Sequence, residues 1–176
     1  TRLLTAFLMC LSLYQFAATV WRRTRNRQLF FIWVLLGSGF GWLFILFGVQ
    51  SSPDLIVPEA FPLYSAMANA HFPLALALLA LSAAIIVRAF RPGVHEMPAV
   101  NNGGLVLFMC SLGLALIAPH ALVPFAAGIG FMIVIDWIVN REVQMWQFRW
   151  LMMIVLPAAP VALYYFAEVR YNPAVS

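Results

Sequence analysis

Long apolar stretches alternate with short polar segments along the whole chain of 176 residues. A helix needs roughly 20 apolar residues, at 1.5 Å rise per residue, to cross about 30 Å of hydrocarbon. Six stretches approach that length. The pattern predicts an all-α integral membrane protein, a bundle of about six transmembrane helices with short loops, forming a single polytopic domain over residues 1–176. The predicted spans are residues 3–20, 29–49, 63–87, 104–118, 121–139 and 150–167.

The composition agrees with a membrane location. Hydrophobic residues make up 64% of the chain and charged residues only 9%, and the mean hydropathy is +0.93. A soluble domain averages about 25% charged residues. The net charge of +4 does not indicate a nucleic-acid partner, because the basic residues are divided among the loops, where membrane insertion and anionic lipid account for them.

The placement of the basic residues predicts a topology. All ten are arginines, and the connections after the second and fourth spans contain none. Short cytoplasmic loops collect arginine and lysine, whereas translocated loops do not. Both termini are therefore predicted to be non-cytoplasmic, in a bacterial inner membrane or another energy-transducing membrane. The connections after the first, third and fifth spans hold Arg22, Arg23, Arg25 and Arg27; Arg88 and Arg91; and Arg141 and Arg149.

The fourth and fifth spans are predicted to form a helical hairpin, with Pro119 and Pro124 bracketing a tight turn between them. Because the fourth span is short, a re-entrant hairpin is an alternative, and it leaves the arginine loops on the cytoplasmic side. Residues 141–150 carry Trp146, Phe148 and Trp150 among polar residues. That mixture predicts a segment lying in the headgroup region of the membrane.

Small residues recur four positions apart in three of the predicted spans. This spacing lets helix backbones approach closely where no hydrophobic drive exists between helices. Packing inside one bundle is the simpler interpretation, and contact with another subunit is the alternative. The pairs are Gly37 and Gly41 in the second span; Ala66 and Ala70, then Ala80 and Ala84, in the third; and Ala126 and Gly130 in the fifth.

His71 is the first candidate for chemistry, because an ionisable side chain in hydrocarbon costs about 3 kcal/mol on insertion scales. It is predicted to lie about eight residues, or roughly 12 Å, from the outer end of the third span. Pro73 cannot donate a hydrogen bond to the carbonyl of Asn69, so Asn69 and His71 are predicted to form a polar spot. A neutral imidazole there is a candidate ligand for haem or chlorophyll, or a proton relay. The alternative is a structural hydrogen bond.

Asp136 is the second candidate, about one helical turn before Asn140. Near the cytoplasmic end of the fifth span it is predicted to pair with an arginine, namely Arg88, Arg91 or Arg141. A role for Asp136 and Asn69 in proton or ion transport is the alternative hypothesis.

Enzyme chemistry is not favoured. The sequence contains no HExxH, GxSxG, P-loop or dinucleotide-binding motif, and no two carboxylates are spaced for acid–base work on one helix face. The three histidines, His71, His95 and His120, are predicted at different depths, so no metal site is expected.

Two similar strings open the two halves of the chain, AFLMC ending at Cys10 and LFMC ending at Cys110. Halves of three spans each would be inverted relative to one another, as in many transporters. Chance similarity between apolar segments is the simpler interpretation, in which each cysteine is a small buried apolar residue.

We therefore expect a non-catalytic integral membrane subunit of a larger complex, in an assembly of electron transfer or light harvesting, with a scaffold role or a role in packing pigment or lipid. Few polar groups are predicted inside the membrane, the loops are short, and aromatic residues make up 15% of the chain. The expected partners are the lipid bilayer and other membrane subunits, and haem or chlorophyll is the candidate cofactor. The alternatives are a small carrier or channel built on inverted three-helix halves, and a membrane sensor or anchor module.

Overall fold

The computed structural model of the chain describes residues 2–36, 69–90, 103–141 and 144–171. These residues form helices and no strand, which confirms the predicted all-α class. The helices are α1 (Arg2–Val20), α2 (Thr24–Leu36), α3 (His71–Ala89), α4 (Gly103–Ile117), α5 (Pro119–Asn140) and α6 (Met145–Tyr171).

Four of the helices, α1, α3, α5 and α6, are long and apolar enough to cross a membrane. α4 is apolar but has only 15 residues, which gives a length of roughly 22 Å. The predicted second span, residues 29–49, is described only through its part in α2. Residues 63–68 of the predicted third span also lie outside the described residues.

The chain divides into two compact units, Thr1–Ala84 and Ile85–Ser176, with the boundary inside α3. The first unit has a core in which Met9 and Leu13 of α1 pack with Ala77 and Ala80 of α3. Because Ala77 and Ala80 are small, the side chains of Met9 and Leu13 fill the space between α1 and α3. One edge of this core is aromatic: the rings of Tyr14 and Phe31 meet edge to face with centroids 6.1 Å apart.

The turn between α1 and α2 is held by Arg27. Its Nε donates to the carbonyl oxygen of Trp21 at 2.7 Å, and a terminal guanidinium nitrogen donates to that of Arg22 at 3.2 Å. These carbonyls belong to the two residues that follow α1, and a cation at the C-terminal end of a helix also complements the helix dipole. Arg27 therefore holds the turn after α1, while Arg22, Arg23 and Arg25 remain exposed.

In the second unit, α4 packs mainly against α6 through a stripe that recurs with helical periodicity. α6 presents Gln147, Trp150 and Ile154, all of them buried. At the start of α4, Gly103 lies close to Trp150: a Cβ at this glycine would be 4.0 Å from the indole ring. The buried stripe of α4 consists of Leu107, Cys110, Ser111, Leu114 and Ala115.

The predicted hairpin of α4 and α5 is present, but its turn is shorter than expected. Only Ala118 separates the two helices. Pro119 is the first residue of α5, a position whose N–H would have no acceptor within the helix, so the missing N–H of proline costs no hydrogen bond. Pro124 lies inside α5, so the prediction that Pro119 and Pro124 bracket the turn was wrong. At the other end, Arg141 closes α5 in the left-handed conformation (φ 54°), with its N–H bonded to Trp137.

α6 begins at Met145 and runs without interruption to Tyr171. Residues 145–150 are therefore the first turns of α6 and not a segment separate from it; their predicted place in the headgroup region stays a prediction. From Arg149 to Glu168 the helix rises roughly 28 Å, close to the thickness of the hydrocarbon core. Tryptophan near one end and tyrosine near the other match the aromatic belts of membrane proteins.

Candidate functional site

Asp136 is the centre of a polar cluster that joins α5 to α6. Its Oδ1 accepts a hydrogen bond from Nδ2 of Asn140, one turn later on α5, at 2.5 Å. Its Oδ2 accepts from Nε2 of Gln147, on α6, at 2.5 Å. The carboxylate is half-buried and Gln147 is only 4% exposed. Both carboxylate oxygens are thus satisfied by amide donors.

These donors differ from the prediction. The sequence suggested that an arginine pairs with Asp136, but both hydrogen bonds given to it within the described ranges come from amides. Arg91 lies outside those ranges. Arg141 sits in the left-handed C-terminal position of α5 and is exposed. Gln147, which sequence reasoning missed, holds the carboxylate because α6 begins at Met145, soon after α5 ends, and packs against α5.

Aromatic and amide side chains continue the cluster toward the start of α6. Nε1 of Trp146 donates to Oε1 of Gln144 at 2.7 Å, and the N–H of Gln147 donates to the carbonyl of Gln144 at 3.0 Å. The ring of Trp146 lies 5.1 Å from that of Phe90. Indole rings with a satisfied N–H favour the membrane–water interface, which places Asp136 near the end of its span and away from the middle.

His71 is the first residue of α3 and Asn69 precedes the helix, whereas both were predicted to lie well inside a span. The described helix begins at His71, and Asn69 and Ala70 precede it in non-helical conformation. Pro73 falls in the first turn of α3, where the missing N–H breaks no internal helix bond. The polar spot that was attributed to a broken helix is therefore a helix start. His71 is exposed, with its ring 4.4 Å from that of Phe72.

The other polar candidates are separate from Asp136. His120 is exposed near the start of α5, and His95 lies outside the described residues. Across the described ranges, no three or more His, Cys, Asp or Glu side chains are grouped to hold a metal ion. Cys10 and Cys110 form no disulfide. Their possible role in a pseudo-repeat remains a prediction.

The small residues that were predicted to form close helix contacts differ in their burial. Gly37, Gly41 and Ala66 lie outside the described residues. Ala80 and Ala84 are buried, Ala80 within the core of the first unit. A Cβ placed at Gly130 meets no described atom within 4 Å, and the same is true at Gly128. Gly130 therefore makes no close helix contact in the described part of the chain.

Sequence reasoning missed an apolar cleft among α4, α5 and α6. The cleft has a volume of about 280 Å³ and no charged or hydrogen-bonding side chain in its lining. The alanine and proline run from Pro157 to Pro160, inside an otherwise bulky apolar segment, was the available signal. The lining consists of Ala115; Pro119, Leu122, Val123 and Ala126; and Ile154, Val155, Ala158, Ala159, Val161 and Ala162.

Three further polar groups, the hydroxyls of Ser82 and Ser111 and the indole N–H of Trp150, are buried without a hydrogen-bond partner among the described residues. None of the three lines the cleft. We assign no function to them.

Comparison with known proteins gives no relative from which to transfer a function: the chain matches no family model, no curated protein and no solved structure.

Proposed function

We propose that this chain is a non-catalytic integral membrane subunit that packs against other membrane polypeptides through the outward face of α5. The observation that carries the proposal is the exposed glycine Gly128, where an added Cβ would meet nothing within 4 Å in the described part of the chain. Only 17% of the apolar window of α5 is buried.

An exposed glycine inside a helix differs from other exposed residues of a membrane protein. Large apolar side chains that face outward need no partner, because lipid tails are as apolar as leucine. A glycine inside a helix costs roughly 0.5–1 kcal/mol relative to alanine. Within the described chain nothing at Gly128 or Gly130 offsets that cost. Close approach of a second helix would offset it, since small residues at membrane interfaces allow backbones to pack.

The polar groups fit the same proposal. Both oxygens of Asp136 are taken by amide donors, which supports a structural role over a proton or ion relay. A carrier would need polar groups along a path, whereas the cleft in the second unit is lined by apolar side chains. The carrier hypothesis therefore has no observation in its favour among the described residues.

We place the pigment hypothesis within this proposal. His71 is exposed at the start of α3, so its imidazole is accessible to a haem or chlorophyll held by a neighbouring subunit in an electron-transfer or light-harvesting assembly. An absorption spectrum of the native complex, compared with that of a His71→Ala complex, tests this part. If the pigment absorption bands are the same in both complexes, His71 is not a ligand of the pigment.

The subunit proposal is tested by purification from native membranes in a mild detergent, followed by native mass spectrometry. We expect the chain to co-purify with at least one other membrane polypeptide, and Gly128→Leu to weaken that association. Gly104→Leu is the matched control: a Cβ at Gly104 also meets open space in the described chain, but Gly104 is the second residue of α4 and does not bear the cost of a glycine inside a helix. A monomer without any partner, for the unaltered chain, contradicts the proposal.

A further inference from the structure

The cleft in the second unit has an apolar lining. It runs between the first turns of α5, from Pro119 to Ala126, and the stretch of α6 from Ile154 to Ala162. At the opposite end of α5 the hydrogen bond between Asp136 and Gln147 holds the two helices together. The helices are thus tied at one end of the membrane and leave a gap toward the other.

The size and lining of the cleft limit its occupant. A helix with its side chains is about 10 Å wide, whereas an acyl chain is much slimmer and suits a cleft of about 280 Å³ between packed helices. The lining side chains are aliphatic or proline, so a polar ring or headgroup would find no hydrogen-bond partner among them and would be costly to bury there.

A cation lies beyond the open end of the cleft. Phe166 is one turn after Ala162, and Arg170 is one turn further, about 12 Å from Ala162 along the helix axis. The guanidinium of Arg170 is 6.0 Å from the centroid of the Phe166 ring and is exposed. Glu168 and Arg170 are two positions apart, so their side chains leave α6 in different directions.

We propose that this cleft binds an acyl chain of an anionic phospholipid and that Arg170 contacts the phosphate of the same molecule. An acyl chain matches the apolar lining and the volume, and a phosphate at the surface matches the exposed guanidinium, which recognises phosphate well. His120, exposed beside Pro119, lies at the same end and is available to donate a second hydrogen bond. The proposal does not depend on the proposed subunit role.

The first test is lipid titration of the intact chain, followed by native mass spectrometry, with phosphatidylglycerol and phosphatidylcholine as the probes. We expect tighter binding of phosphatidylglycerol, and a loss of about fivefold for Arg170→Gln, as one arginine near an anionic surface contributes. Ala158→Phe should fill the cleft and weaken binding of both lipids. Ala127→Phe is the matched control, since Ala127 is exposed and outside the cleft.

A second measurement uses the unaltered chain, so it stands even where a variant fails to fold. A phosphatidylglycerol analogue with a photoreactive group in its acyl chain should crosslink to residues of the cleft, such as Ala126 and Ala158. Equal binding of the two lipids, binding unaffected by Ala158→Phe in a folded variant, or crosslinks that avoid the cleft would each overturn the proposal. Recovery of a polypeptide from the cleft in place of lipid would overturn it as well.

Discussion

Nε2 of Gln147 donates a hydrogen bond to Oδ2 of Asp136 and so connects the first turns of α6 to the last turns of α5. The two residues are 11 positions apart in the chain and are brought together because α6 begins soon after α5 ends and packs against it. Each compensates for the burial of the other, because a buried amide or carboxylate without a partner is costly. This pair fixes the end of the α5–α6 hairpin opposite the apolar cleft.

Breaking the pair from one side should destabilise the protein. Gln147→Met leaves Oδ2 of Asp136 without its donor, and we expect the free energy of unfolding to fall by about 1–3 kcal/mol. Asp136→Leu should cost a similar amount, and the double variant less than the sum, with a coupling of about 1 kcal/mol. Unfolding in detergent measures all four proteins.

The control for this cycle is Gln28→Met, because Gln28 is an exposed residue of α2 and its replacement should leave stability unchanged. Purely additive effects of the Asp136 and Gln147 substitutions would show that the hydrogen bond contributes nothing to the fold.

Arg27 should matter for stability in a way that its neighbour Arg25 does not. Arg27→Ala removes both hydrogen bonds to the carbonyls of Trp21 and Arg22, and we expect a loss of about 1 kcal/mol, typical of a hydrogen bond from a charged side chain. Arg25→Ala removes the same charge from the same end of α2, at an exposed position, and should change stability by less than half of that. Thermal unfolding in detergent compares them, and equal losses would show that the hydrogen bonds of Arg27 do not stabilise the turn.

The arginine loops predict the orientation of the chain, which labelling of introduced cysteines tests. With Cys10 and Cys110 replaced by serine, a membrane-impermeant thiol reagent applied from outside should label Ser51→Cys and Ser176→Cys. It should not label Asn26→Cys until the membrane is permeabilised, because that loop is rich in arginine. Outside labelling at Asn26→Cys and protection at Ser51→Cys would invert the topology.

Apolar length and turn residues sufficed to predict the helical class and the positions of α1, α5 and most of α6. The start of α6 was missed because Trp146 and Gln147 read as an interfacial segment, whereas packing against α4 and the bond to Asp136 make them part of one helix. Pro124 was assigned to a turn. In membranes, neighbouring helices and local adjustments satisfy the groups that a helix-internal proline frees.

The candidate site was predicted only in part. Asp136 was identified because a carboxylate in a membrane span is costly. Its partner Gln147 lies on the next helix, and the packing of α5 against α6 cannot be predicted from the spacing of residues within one helix. The left-handed conformation of Arg141 was also unpredictable, since glycine usually occupies that position. The cleft lies where alanines of α5 and α6 face one another. A single sequence shows that these residues are small, but it does not show that they lie close together in the fold.

The central claim, that the outward face of α5 contacts another membrane polypeptide, is tested most directly by site-specific photocrosslinking in native membranes. A photoreactive amino acid at Gly128 should give a discrete crosslinked product containing a second polypeptide. The same probe at Leu3, an exposed residue at the start of α1, should give lipid adducts only. Lipid adducts alone at Gly128, in membranes where the chain is folded, would contradict the account.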